Sequence, residues 1–157
     1  MNEERFRLLA AACRRHERPD LAEVLEAFIR PALQVTDDDK GDTVFMRLRA
    51  VLSAERSELL EQLVAENFDL SSSRFIDALA QCLPHLSRED LYWRFHFLLG
   101  TIYYTAAGPQ RIRSLSQGRC DTADPEAVMR ELVPFLIAGL SAPPARPLTD
   151  SDEEYRR

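Results

Sequence analysis

The chain has 157 residues, 45% of them hydrophobic and 29% charged, with a formal net charge of −6. That length carries one core rather than two independent ones, and the negative balance argues against this chain gripping nucleic acid by itself, since neutralising phosphates takes a basic face. Cys13, Cys82 and Cys120 are odd in number, widely spaced and without a CxxC pair, which indicates neither a disulfide framework nor a zinc site and predicts reduced thiols in the cytoplasm.

Ala, Leu, Glu and Arg are abundant, Gly is scarce and β-branched runs are few, so an all-α fold is expected. Lys40 is the only lysine, a bias that fits codon usage in a GC-rich genome and hints at a bacterial source. The opening "MNEERFR" lacks the basic-then-apolar order of a signal peptide. No apolar stretch approaches the ~20 uninterrupted residues of a membrane span, so no membrane partner is expected.

Six or seven helices are predicted. The first runs from Asn2 or Glu3 to about His16, with Phe6, Leu9, Ala10 and Cys13 at helical spacing on one side. "ERPDLAE" turns the chain, Asp20 and Glu23 having capping-box spacing. Helix two, Leu21 to about Leu33, turns Leu21, Val24, Leu25, Phe28 and Ile29 inward, with Pro31 placed to kink its last turn. "VTDDDKGD" reads as a flexible loop and not a calcium loop. Aligning Gly41 with the invariant glycine puts Thr36 and Lys40 at ligand positions and Arg47 at the last one.

Helix three is expected over Thr43 to Leu52, and helix four over about Glu55 to Asn67, amphipathic through Leu59, Leu60, Leu63 and Val64. "DLSSS" separates it from helix five, whose stripe is Phe75, Ile76, Leu79, Cys82 and Leu83, stopped by Pro84. Ser87 and Asp90 then cap helix six, "LYWRFHFLLGTIYYTAAG", which Gly108 and Pro109 end. A turn of helix around Gln110 to Ser116 leads to Asp124 and Pro125, the N-cap and first position of helix seven, which ends near Ala142. The domain is thus expected over 1–142. "PPARPLTDSDEEYRR", residues 143–157, is proline-rich and charged, the composition of a disordered tail.

Helix six is apolar nearly all round. Leu91, Phe95, Leu98, Ile102 and Ala106 share one face, while His96, Gly100, Tyr103, Tyr104 and Ala107 lie opposite, flanked by Trp93 and Phe97. Helix seven has Val128, Leu132, Phe135 and Gly139 along one edge, and Met129, Val133, Leu136, Ile137 and Leu140 widen its apolar arc. Gly100 and Gly139 each cost ~1 kcal/mol in a helix interior relative to Ala, so close helix approach is a reason to seek. Two copies packing their last two helices into a four-helix bundle would supply it. The alternative is a monomeric bundle with helix six at its centre.

"RFIDALAQCLPHLSREDLYWRFHFLLGTIYYTAAGPQRIRSL", followed by "DPEAVMRELVPFLIAGLSAPP", resembles the C-terminal ligand-binding and dimerisation domain of the TetR family of bacterial transcriptional regulators. The resemblance extends more weakly to "NEERFRLLAAACRRHERPDLAEVLEAFIRPAL", about residues 2 to 142 in all, as a pattern of helices and turns rather than a strict motif. It implies a dimer bundle built from the last two long helices, an effector pocket in the helical body, and DNA binding through an N-terminal helix-turn-helix domain. "NEERFRLL" resembles the helix that connects the two domains, so DNA contact is expected only through a domain not in this chain. A headless module that pairs with a full-length relative is the alternative function.

No HExxH, GxSxG, phosphate-cradling glycine loop or paired Glu-x-x-His is present. His16, His85 and His96 occur singly, so no catalytic residues, metal or cofactor are expected and the chain is not read as an enzyme. A small apolar or amphipathic effector is expected between Phe28, Phe75, Leu79, Phe95, Leu98 and Ile102. A homodimer interface is expected at His96, Gly100, Tyr103, Tyr104, Leu132, Phe135 and Gly139. Arg94 is expected to pair with Asp90 one turn earlier.

Overall fold

In the computed structural model, residues 2–15, 17–33, 58–107 and 109–144 are described, and they form six helices and no strand. These are α1 (Asn2–Arg15), α2 (Leu21–Leu33), α3 (Glu58–Cys82), α4 (Arg88–Ala107), α5 (Pro109–Leu115) and α6 (Pro125–Ser141). The predicted loop over 35–42, the helix over 43–52 and the tail from 145 lie outside the described residues, as does His16. The all-α expectation holds.

The second helix is the hub. Val24, Leu25, Ala27, Phe28, Ile29 and Ala32 are all buried, because α2 packs against α1, α3, α4 and α6 in turn. Phe28 meets Phe75 of α3 and Phe95 of α4 edge-on, with ring centroids 4.7 and 5.3 Å away, the geometry that aromatic quadrupoles favour.

Two sequence expectations are corrected. "DLSSS" does not break the chain: α3 runs unbroken through it. Ser71 is 3% exposed, and a small side chain suits a helix pressed against its neighbours. Packing of Phe75, Ile76, Ala78 and Leu79 just beyond outweighs the weak helix propensity of serine. The buried face of α1 is also rotated, to Arg5, Leu9 and Ala12, leaving Ala10 and Cys13 exposed. Arg5 takes a core position because its Nε donates to the Phe28 carbonyl at 2.9 Å and its guanidinium lies 4.1 Å over the Phe28 ring.

The caps follow the sequence closely. Asp124 accepts from the Glu126 and Ala127 amides at the head of α6. Ser87 and Asp90 cap reciprocally, the Asp90 amide donating to Ser87 Oγ at 3.1 Å and the Ser87 amide to Asp90 Oδ2 at 3.2 Å. At α2 half of the box forms: Glu23 N–H donates to Asp20, while the Glu23 carboxylate accepts from Arg15 at 2.9 Å. After α5 the Gly118 amide donates to the Arg113 carbonyl at 2.8 Å, closing a Schellman-type turn with Gln117 at φ 54° and Gly118 at φ 80°. That turn sends residues 119–124 back toward the head of α6.

Candidate functional site

The fourth helix divides into two opposed faces. Leu91, Phe95, Leu98 and Ile102 are each buried to 4% exposure or less and belong to the core. On the other side Tyr92, Trp93, Phe97 and Tyr104 are 54%, 57%, 61% and 66% exposed, and His96 and Gly100 are exposed between them. Trp93, which the sequence sets on the flank of the Gly100 side, is exposed on that side. Its ring stands 6.0 Å from that of Phe97 and 6.4 Å from that of His96.

The sixth helix splits the same way. Val128, Met129, Leu132, Val133, Leu136 and Leu140 are buried, whereas Phe135 is 66% exposed and Gly139 is exposed. A Cβ added at Gly100 or Gly139 would meet nothing within 4 Å. Neither glycine is required by a contact within the described residues, although each weakens its own helix. Singly exposed apolar side chains are ordinary, but several aromatics on one continuous face are not.

Arg94 ties these two helices together. It does not pair closely with Asp90; its guanidinium instead collects carbonyls at the end of α6. It donates to Leu140, to Ala142 at 2.7 Å and to Pro143 at 2.9 Å. A cation is favourable there because the last carbonyls of a helix lack partners and carry partial negative charge. At the other end of α6, Arg30 of α2 pairs with Glu126 in its first turn, so both ends of α6 are held by arginines.

The expected effector-lining residues Phe28, Phe75, Leu79, Phe95, Leu98 and Ile102 are brought together. They are 1–4% exposed and fill the core rather than face an open space. Cys82 donates from Sγ to the Pro19 carbonyl at 3.2 Å, and burial first, then the charges of Cys13 and Asp20, push its thiol up to about 11. Among the described residues no group of His, Cys, Asp and Glu is placed to hold a metal ion, and no helix is long and apolar enough to cross a membrane.

A family model described as "Tetracyclin repressor-like, C-terminal domain" matches residues 26–139. The chain belongs to this family. No curated protein matches its sequence closely enough to count as a relative. The matched segment of this tetracyclin repressor-like domain begins inside α2 and ends inside α6, so it contains both the aromatic core and the exposed face.

Of the expected interface residues, the domain exposes His96, Gly100, Tyr104, Phe135 and Gly139, and half-buries Tyr103. Leu132 departs from that set, since at 8% exposure it belongs to the chain's own core. The reason is angular: three residues before Phe135, it sits about 60° round the helix toward Val128 and Leu136. Sequence reasoning missed Arg5, whose charge disguised a core position. For Arg94 it chose the nearer partner, since the carbonyls it reaches come from 45 or more residues along the chain.

Proposed function

We propose that this chain is the effector-binding and dimerisation domain of a bacterial transcriptional regulator, working in the cytoplasm as a homodimer. The observation that carries the reading is the exposed face of α4 and α6. Tyr92, Trp93, Phe97, Tyr104 and Phe135 are left exposed, and a Cβ at either Gly100 or Gly139 would meet nothing of its own chain. Packing that face against its symmetry mate covers the aromatics and uses the glycines for close helix approach.

The effector enters the subunit body at Phe28, Phe75, Leu79, Phe95, Leu98 and Ile102. Because these side chains fill the core, binding selects a state in which the edge-on contacts of Phe28 open, a population shift rather than simple filling of a void. Phe28 also carries Arg5 through its carbonyl and its ring, so that opening displaces α1. In a full-length regulator α1 would continue toward the DNA-binding domain.

Sedimentation at micromolar concentration tests the dimer: a mass of two 18.0 kDa subunits is expected, and a monomer would sink the reading. Gly100→Leu is expected to leave folding intact and weaken association. Unchanged association in that variant moves the interface away from α4.

A further inference from the structure

Ser71 of α3 is 3% exposed, and among the described residues only Arg5 is another polar group so deeply placed. At helical spacing it falls on the face of Phe75, Ala78 and Leu79, all buried, one turn before Phe75. Its hydroxyl oxygen has no hydrogen-bond partner among the described residues. A helical hydroxyl ordinarily settles this locally, by donating to the carbonyl four residues back. Thr101 and Thr105 of α4 do so at 2.8 Å, to Phe97 and to Thr101. Ser71 does not, so the core holds an unspent donor and acceptor where alanine would fill the space without that cost.

The aromatic cluster beside it has the form of a slot for one ring. Phe28 meets the rings of Phe75 and Phe95 edge-on, and the Arg5 guanidinium covers its face. Ser71 lies one turn along α3 from Phe75, a step that sets Cβ atoms roughly 5–6 Å apart, within reach of a substituent on a ring held in the slot. The charge at the slot is that of Arg5, which disfavours a cationic ligand. A neutral hydroxyl can both donate to and accept from the serine hydroxyl.

We propose that the effector is a neutral phenol, its ring taking the place of the Phe28 ring between Phe75 and Phe95 and its hydroxyl pairing with Ser71. This rests on the effector site assigned above and names its ligand class, with Ser71 as the specificity-determining residue. Ser71 and the rings around it are closed to solvent in this state. The ligand reaches them in the state where Phe28 has swung out, and its ring then meets the partners that Phe28 gave up. A site with a buried hydroxyl to satisfy discriminates against the analogue that lacks one.

NMR titration of the Ile, Leu and Val methyls with 4-ethylphenol and with 4-ethyltoluene, which differ by hydroxyl for methyl, tests the assignment. Ethyltoluene is the more apolar, so an indifferent apolar core would favour it. In the wild-type chain 4-ethylphenol is expected to shift the Leu79, Leu98 and Ile102 methyls saturably and to bind at least tenfold more tightly than 4-ethyltoluene. Ser71→Ala, which removes one oxygen and should fold at least as stably, is expected to abolish that preference by weakening 4-ethylphenol alone. Core methyls shifted equally well by both ligands in the wild-type chain overturn the phenol assignment and leave the effector site standing. A preference that persists in Ser71→Ala overturns the role of Ser71. Core methyls unmoved by either ligand overturn the proposal together with the effector site on which it rests.

Discussion

Phe97 and Leu98 are neighbours in sequence and opposites in consequence. Leu98 is 1% exposed and Phe97 61%, because one residue is a 100° step round the helix. Leu98→Ala removes buried methyl groups and is expected to cost about 2–5 kcal/mol of folding stability. Phe97→Ala removes little from the isolated fold. Its open surface is on the order of 120 Å² if an aromatic side chain presents about 200 Å², worth ~3 kcal/mol per subunit if fully covered at 25 cal/mol per Å².

Association returns only a fraction of that value, so a loss of about 2 kcal/mol for the two copies is expected, a dimer roughly 30-fold weaker. Sedimentation over a dilution series reads the dimer. Urea unfolding at several protein concentrations separates folding from association, since a dimer's apparent stability depends on concentration. An unchanged dissociation constant in Phe97→Ala would refute the reasoning. Equal loss of folding stability in both variants would refute the two-faced reading of α4.

Arg94→Met keeps the apolar stem but removes the donors to the α6 carbonyls, and is expected to lower stability by about 1–3 kcal/mol in chemical denaturation. A loss below measurement error would mean that water serves those carbonyls equally well. Cys82, with its thiol pushed up to about 11 by burial, should react with a thiol reagent at pH 8 far more slowly than exposed Cys13 and Cys120, a difference that timed mass spectrometry resolves. The hydrogen bonds from Ser87, with a smaller pull from Arg94, hold the Asp90 carboxyl below its ordinary value of 3.8. The stability this lends is present above that value and is lost as pH falls through the lower folded-state value. NMR titration should find Asp90 shifted back toward its ordinary value in Ser87→Ala, and no change would dissociate the cap from the titration.

Local signals were legible and distant ones were not. Ser87, Asp90 and Asp124 declared their helix starts because a cap is written within three or four residues. The apolar period separated Leu91, Phe95, Leu98 and Ile102 from the side bearing Gly100, and the structure keeps that division. What misled was chemistry read without tertiary context. The serines after Asp69 look like a break until α3 is seen packed through them, and Arg5 looks like surface until Phe28 is above it. Leu132 was grouped with Phe135 along one edge of a helix whose wide apolar arc hides where core ends and outer face begins.

The guanidinium of Arg94 has a dynamic consequence. Last turns of helices ordinarily fray, their amide hydrogens exchanging long before those at the centre. Here the end of α6 is clasped from the second turn of α4, so it opens only when that clasp is released. The two helices that carry the exposed aromatics are thereby one cooperative unit, presenting a pre-set surface rather than two strips that must be aligned at every encounter.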